Sequence, residues 1–361
     1  MKLGAYAVIN LVSAKHNLLK VRDYAPNAKI MAVIKANAYG HGLLSMAEAL
    51  QQADGLAVAR AYEGIRLRQA GFTHRITVLE GFVCEQELND LIQYDLDVVV
   101  HSVGQVDILE KYQGSKTITV WLKLDTGMNR LGFKAEGYVS AYTRLLACTQ
   151  VKQPIFLMTH LSSADDKDSQ ETLRQVALFK ETVKNYPGER SIANSAGLIS
   201  CSESLTDWVR PGIMLYGVSP FESSKGSELG LKPVMSLHSR LIAVKKINAG
   251  ESVGYAGTWT ASKDTVLGVV AIGYGDGYPR YAKSGTPVLV NGIKVSLVGR
   301  VSMDMITVDL SDLSNAKAGD PVTLWGEGLA VEEIASYADT IPYTLLCGIT
   351  QRVEIKNVIN E

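Results

Sequence analysis

Cysteine is scarce: Cys84, Cys148, Cys201 and Cys347 are the only four in 361 residues. They stand too far apart for a CxxC zinc site, so no metal centre is expected. Nor do they form the kind of framework that staples small secreted domains. A reducing, cytoplasmic setting is expected. No stretch approaches the ~20 near-continuous apolar residues that cross a bilayer. Lys2 precedes a mildly apolar run from Leu3 to Ile9, but Asn10 interrupts it and a helical pattern with Lys15, His16 and Lys20 follows. No signal peptide is expected from that pattern. Long blocks of like charge are absent too, and 36 basic against 37 acidic residues leave a formal net charge of -1. Such a chain has no electrostatic pull on nucleic acid or anionic lipid, which favours small-molecule chemistry. Internal repeats and Pro- or Ser-rich linkers are likewise missing.

What remains is the composition of an ordinary folded protein. With 47% hydrophobic and 20% charged residues, the chain is neither disordered nor fibrous. Its length exceeds what one core usually serves, which predicts one large domain and a smaller one.

From Lys29 onward, β-rich apolar runs alternate with segments of helical period. The strands are read at Ile30 to Ile34, Leu56 to Val58, Ile76 to Leu79, Val98 to Val100, Ile118 to Leu124, Ile155 to Thr159, Ser191 to Ala193 and Trp208 to Arg210. Helices are expected between them, as at Leu43 to Gln51, Tyr62 to Gln69, Gln86 to Tyr94, Tyr138 to Ala147 and Gln170 to Tyr186. Eight such units predict a (β/α)8 barrel. After about Gly230 helical periods fade. Short alternating runs at Val266 to Ile272, Pro287 to Val290, Ile306 to Leu310 and Pro321 to Trp325 predict a β-rich second domain. The fold class is therefore α/β, an N-terminal TIM-type barrel over 1–230 and a mainly-β domain over 231–361.

A barrel gathers its chemistry at the C-terminal ends of its strands. Here those ends are polar: Lys35 to Gly42 after the first strand, Lys123, Asp125 and Thr126 after the fifth, His160 after the sixth, Asn194 and Ser195 after the seventh, Arg210 after the eighth. A lysine directly behind the run Met31 to Ile34 is expected to be partly enclosed. Desolvation then lowers its pKa and frees its amine for a Schiff base. Alone, Lys35 would more often be a snorkelling lysine. But Asn194 to Gly197 and Gly212 with Ile213 lie where such barrels build a phosphate site from backbone N–H groups. Lysine and phosphate cradle together point to pyridoxal 5'-phosphate (PLP).

The segment Ala32-Val33-Ile34-Lys35-Ala36-Asn37-Ala38-Tyr39-Gly40-His41-Gly42 resembles the cofactor signature of alanine racemases. The likeness runs on through Lys123 to Gly132, Thr159-His160, Asn194-Ser195, Val209 to Gly212, Gly254-Tyr255, Gly273 to Gly277 and Gly299 to Asp304, nearly the whole chain. It implies a PLP-dependent isomerase that interconverts L- and D-alanine by two-base proton transfer, for peptidoglycan or for alanine breakdown. Lys35 would hold PLP and serve the D-enantiomer, while Tyr255 would serve the L-enantiomer from the opposite face. Inverting a tetrahedral carbon requires such an opposed pair, since a proton leaves one face and returns on the other.

The same resemblance implies the remaining roles. Tyr39, Ser195, Tyr343 and the backbone of Gly212 and Ile213 would hold the phosphate, with Asn194 and His160 beside them. Arg210 would face the pyridine nitrogen, which a guanidinium cannot readily protonate. His160 and Arg210 are the candidates for the nearby positive charge or donors that would lower the Tyr255 phenol from its ordinary pKa of about 10. Arg130 and the Met303 N–H would take the substrate carboxylate. Lys123 would match a lysine that can be carbamylated to orient Arg130, and Tyr274, Arg280, Arg300 and Asp165 would line substrate entry. A homodimer is implied, the β-domain of one chain completing the barrel site of the other. Two rivals fit less well. A PLP decarboxylase of basic amino acids would carry a cysteine-containing substrate motif that is not found here. A lone-barrel PLP carrier would lack the domain bearing Tyr255 and Met303.

Overall fold

In the computed structural model, which describes residues 4–166 and 169–359, the chain builds a closed parallel barrel and an eight-stranded sheet. The first strand, β1 (Tyr6–Asn10), belongs to the sheet and not to the barrel. Its alternating burial marks a half-buried strand. It runs antiparallel to β10 (Met235–Ile247), with Tyr6 opposite His238, and parallel to Glu354–Val358. Residues 6–10 thus leave the expected 1–230 barrel and join the second domain's sheet. Helix α1 (Leu11–Tyr24) follows at once, started by the Asn10 side chain, which accepts from Ser13 N at 3.0 Å.

The barrel strands are β2 (Lys29–Val33), β3 (Gly55–Val58), β4 (Arg75–Val78), β5 (Asp97–Val100), β6 (Val120–Lys123), β7 (Phe156–Met158), β8 (Arg190–Ser191) and β9 (Trp208–Val209). Each expected strand is present within a few residues, and β9 pairs back onto β2 to close the ring. Strands β3, β5 and β6 are buried at every position, because helices cover the outside of a parallel barrel while side chains fill its inside.

In the second domain, β10 pairs Thr265–Val270 as well as Pro321–Trp325, which returns the sheet on itself. Two short helices, Val331–Tyr337 and Pro342–Cys347, stand where only strands were expected. Spans of 7 and 6 residues are too short to print a helical period.

Two polar clamps, one buried and one half-buried, fix the second domain against the barrel. Asn17 of α1 donates to Leu215 O at 3.1 Å and Lys232 O at 2.8 Å and accepts from Lys232 N at 2.8 Å. Glu332 accepts from Ser219 N at 3.0 Å and Gly226 N at 2.9 Å. The helix Pro342–Cys347 is thereby held over the turn that follows β2, with the Tyr343 and Tyr39 rings 5.8 Å apart.

Candidate active site

Lys35 begins where β2 stops, and the backbone behind it turns the wrong way for L-residues. Ala36, Asn37, Ala38 and Tyr39 stand at φ 54, 53, 53 and 52°. A left-handed turn costs about 1–2 kcal/mol for each such residue, so the surroundings must impose it. Asn37 is held at both ends: its N–H reaches Glu63 Oε1 at 3.3 Å and its Oδ1 accepts from Leu43 N at 3.0 Å. Glu63 also accepts from Ala59 N at 2.9 Å. Gly40, at φ 83°, must be glycine, because a Cβ there would lie 2.2 Å from the Leu346 carbonyl oxygen.

Around the barrel mouth the remaining strand ends bring cations together. Burial lowers the Lys35 pKa first, and the nearby Arg130 charge lowers it further. Lys123, the last residue of β6, falls to about 8, again by burial first and then by Arg210, Arg130 and Lys35. Asp125 offers Lys123 little relief, since its oxygens serve Lys134 at 2.7 Å and the N–H groups of Gly127 and Asn129 at 3.0 Å each. Arg130 is exposed on a cavity of about 550 Å³ that His101, Asn129 and Lys134 also line.

Arg210 follows β9 and is buried, donating to Thr159 O at 2.6 Å, Ile192 O at 3.2 Å and Ser191 Oγ at 2.5 Å. Burial lowers its pKa to about 10, which still leaves a cation near neutral pH. No carboxylate among the described residues pairs with it. Its Nη2 lies 3.4 Å from His160 Nδ1, so the ring nitrogen accepts. Of the two roles expected of His160, charge or donor, the electrostatics favour the donor. Burial, Arg210, Lys123, Arg130 and Lys35 all push its pKa well below the ordinary value, so it is a neutral donor through Nε2 and not a source of charge.

Tyr39, Ser195, Gly212 and Tyr343 lie together, and Ile213 follows Gly212 in the chain. Gly212 donates to Ser195 Oγ at 2.9 Å, and a Cβ on Gly212 would come within 2.6 Å of the Tyr39 hydroxyl. Asn194 lies just behind. Its Oδ1 caps the short helix Ser195–Ser200 through Gly197 N at 2.9 Å, a supporting contact that faces its own helix. Asp165 is exposed near Tyr343 and, after burial, is the second cause of that phenol's rise to about 12. Sequence reasoning missed Glu63 and Tyr216, which carry no strand-end or motif signal.

The second-domain candidates form a separate, outward-facing group. Tyr255 is 68% exposed and Met303 53%. The Tyr274 turn is stitched to the Met303 loop by Tyr274 N to Ser302 O at 3.0 Å and Gly275 N to Met303 O at 2.9 Å. Arg300 abuts the Tyr255 turn, its backbone nitrogen 3.7 Å from where a Gly254 Cβ would sit. Arg280 follows the Tyr274 turn, partly exposed.

Buried donors, a strand-end amine of lowered pKa and an unpaired buried guanidinium suit a phosphorylated, aromatic carbonyl compound such as PLP. Known proteins resemble the chain along nearly its whole length. Residues 9–220 match the family described as "Alanine racemase, N-terminal domain", and residues 234–357 match "Alanine racemase, C-terminal domain". A relative from Shewanella sediminis (strain HAW-EB3), named alanine racemase, is 50% identical over 355 residues, 98% of this chain and 99% of its own. The biosynthetic alanine racemase of Escherichia coli (strain K12) is 50% identical over 356 residues with the same coverage. The crystal structure of the biosynthetic alanine racemase from Pseudomonas aeruginosa gives a TM-score of 0.96 at 41% identity, covering 99% of this chain and 100% of that one.

Proposed function

The chain belongs to the alanine racemase family, and we propose from that membership how its own residues interconvert L- and D-alanine. The observation that carries the reading is Lys35, a strand-end lysine of lowered pKa among Lys123, Arg130 and Arg210. Bound there, PLP would supply the electron sink that lets an amino acid's α-proton leave. Lys35 would anchor the cofactor, and its Nζ, whose pKa burial and Arg130 lower, would take the proton of D-alanine. Tyr39, Ser195, Tyr343 and the Gly212 and Ile213 backbone would hold the phosphate, the Gly212 N–H exchanging its bond to Ser195 for one to the ligand. Arg210 would donate to the ring nitrogen without giving up a proton.

Tyr255 would take the proton of L-alanine from the other face. Its exposure supports a homodimer in which it enters the partner's barrel, Met303 narrowing the same pocket and Arg130 binding the carboxylate. Tyr274, Arg280, Arg300 and Asp165 would line the entry. The relatives called biosynthetic favour supply of D-alanine to peptidoglycan over breakdown. No helix among the described residues is long and apolar enough to cross a membrane. The free cysteines fit a cytoplasmic setting.

Purified protein with PLP should turn L-alanine into D-alanine and release no carbon dioxide from L-lysine or L-ornithine. Decarboxylation instead of racemisation would overturn the activity. Borohydride treatment of the holoprotein should leave a pyridoxyl label on Lys35, read by peptide mass spectrometry. A label on another lysine would reassign the anchor.

Lys123 should be carbamylated. Its neutral amine is well populated near pH 8. Nζ would attack the carbon of carbon dioxide, forming the N–C bond, shifting a C=O electron pair to oxygen and losing a proton to solvent. The product places an anion beside the Arg210 and Arg130 guanidiniums, which lower the Lys123 pKa. Incubation with ¹³C-bicarbonate should give a protein-bound ¹³C resonance that Lys123→Arg abolishes, and a signal that survives the substitution would place the carbamate elsewhere.

A further inference from the structure

The left-handed turn behind Lys35 needs a lock, and one side chain supplies it without any part in proton transfer. His41 Nδ1 lies 3.1 Å from the Ala38 carbonyl oxygen and 2.9 Å from that of Tyr39. Both neighbours only accept, so Nδ1 carries the hydrogen and donates to the turn. The ring is fully buried and Nε2 has no hydrogen-bond partner. A second proton on Nε2 would create an unsolvated cation, and burial accordingly drives the His41 pKa down to about 4. One tautomer fits the site.

Tyr216 braces it. Its ring centroid is 4.6 Å from His41 and 4.6 Å from Tyr39, and its hydroxyl donates to Val33 O at 3.0 Å. A single buried phenol thus joins the last residue of β2, the tyrosine that ends the left-handed run, and the imidazole that holds it. We propose that His41, as the Nδ1–H imidazole braced by Tyr216, is a positioning residue that locks the turn and so sets Lys35 Nζ and the Tyr39 hydroxyl before the cofactor arrives. The inference rests on the reading of Lys35 and Tyr39 as PLP holders. Its physical content is preorganisation: a site ordered in advance does not spend binding energy on ordering itself.

Three variants separate the donor from mere packing. His41→Asn keeps an N–H at the reach of Nδ1, His41→Gln carries it one carbon further, and His41→Leu removes it. Two quantities would be read on the apoprotein: hydrogen–deuterium exchange of the peptide spanning 36–43, and PLP affinity by equilibrium dialysis. His41→Asn should stay close to wild type in both. His41→Gln and His41→Leu should each weaken PLP binding about tenfold and speed exchange of that peptide by a similar factor, the scale of one lost hydrogen bond. Peptides covering β5 and β6 should not change. Wild-type behaviour in His41→Leu, or His41→Gln matching His41→Asn, would overturn the lock. If His41→Leu does not fold, the Asn and Gln contrast decides alone. If the wild-type apoprotein takes up no PLP, the cofactor reading fails, while the exchange contrast still judges the turn.

Discussion

Lys35→Ala and Tyr255→Ala, each inactive alone, should recover about a quarter of wild-type activity when unfolded together and refolded as an equal mixture. Random pairing makes about half the dimers mixed. In a mixed dimer one site receives both lesions and the other neither, so half of the sites in half of the dimers work. Sites built within one chain would restore nothing. Tyr255 is 68% exposed, at a turn of the second domain, whereas Lys35 faces the barrel mouth of its own chain. Tyr343 differs: its helix packs in the same chain against the Lys35 turn. The expected site therefore takes its phosphate wall from one protomer and its second base from the other. Mixed dimers that demonstrably form and yet stay inactive would return Tyr255 to its own chain.

Much of the barrel was legible because its signals are local. Apolar runs such as residues 98–100 and 120–122 mark their strands plainly, and the polar residue after each one marks the mouth. Lys35, Lys123, His160, Ser195 and Arg210 were placed by that logic. What the sequence hid is set by pairing at long range. Tyr6–Asn10 alternates like a half-buried strand, but nothing local says that its partners lie beyond residue 230. The left-handed conformation of Ala36 to Tyr39 runs against the preferences of those residue types, so no propensity could have foretold it. Glu63 and Tyr216 matter through what the fold brings to them. The lowered pKa of His160 was also out of reach, because it follows from burial beside Arg210, Lys123, Arg130 and Lys35, which other strand ends and a loop supply.

Tyr255→Phe should slow exchange of the L-alanine α-proton in heavy water about a hundredfold or more, while D-alanine exchange falls by less than tenfold. Removing a positioned general base typically costs 10²- to 10⁴-fold, and only the enantiomer that presents its proton to the phenol should feel that loss. Lys35 would remain in place for D-alanine, its pKa still lowered by burial and Arg130. A phenol that acts as a base near neutral pH needs help from neighbouring donors or charge. With His160 neutral, that help would come as a hydrogen bond from Nε2, oriented by the Arg210 contact on Nδ1 at 3.4 Å. The guanidinium charge would act from behind the ring. Phenylalanine keeps the ring and its packing, so a change confined to one enantiomer isolates the hydroxyl. Equal losses for both enantiomers would mean that the phenol only shapes the pocket. A loss larger for D-alanine would exchange the faces of the two bases.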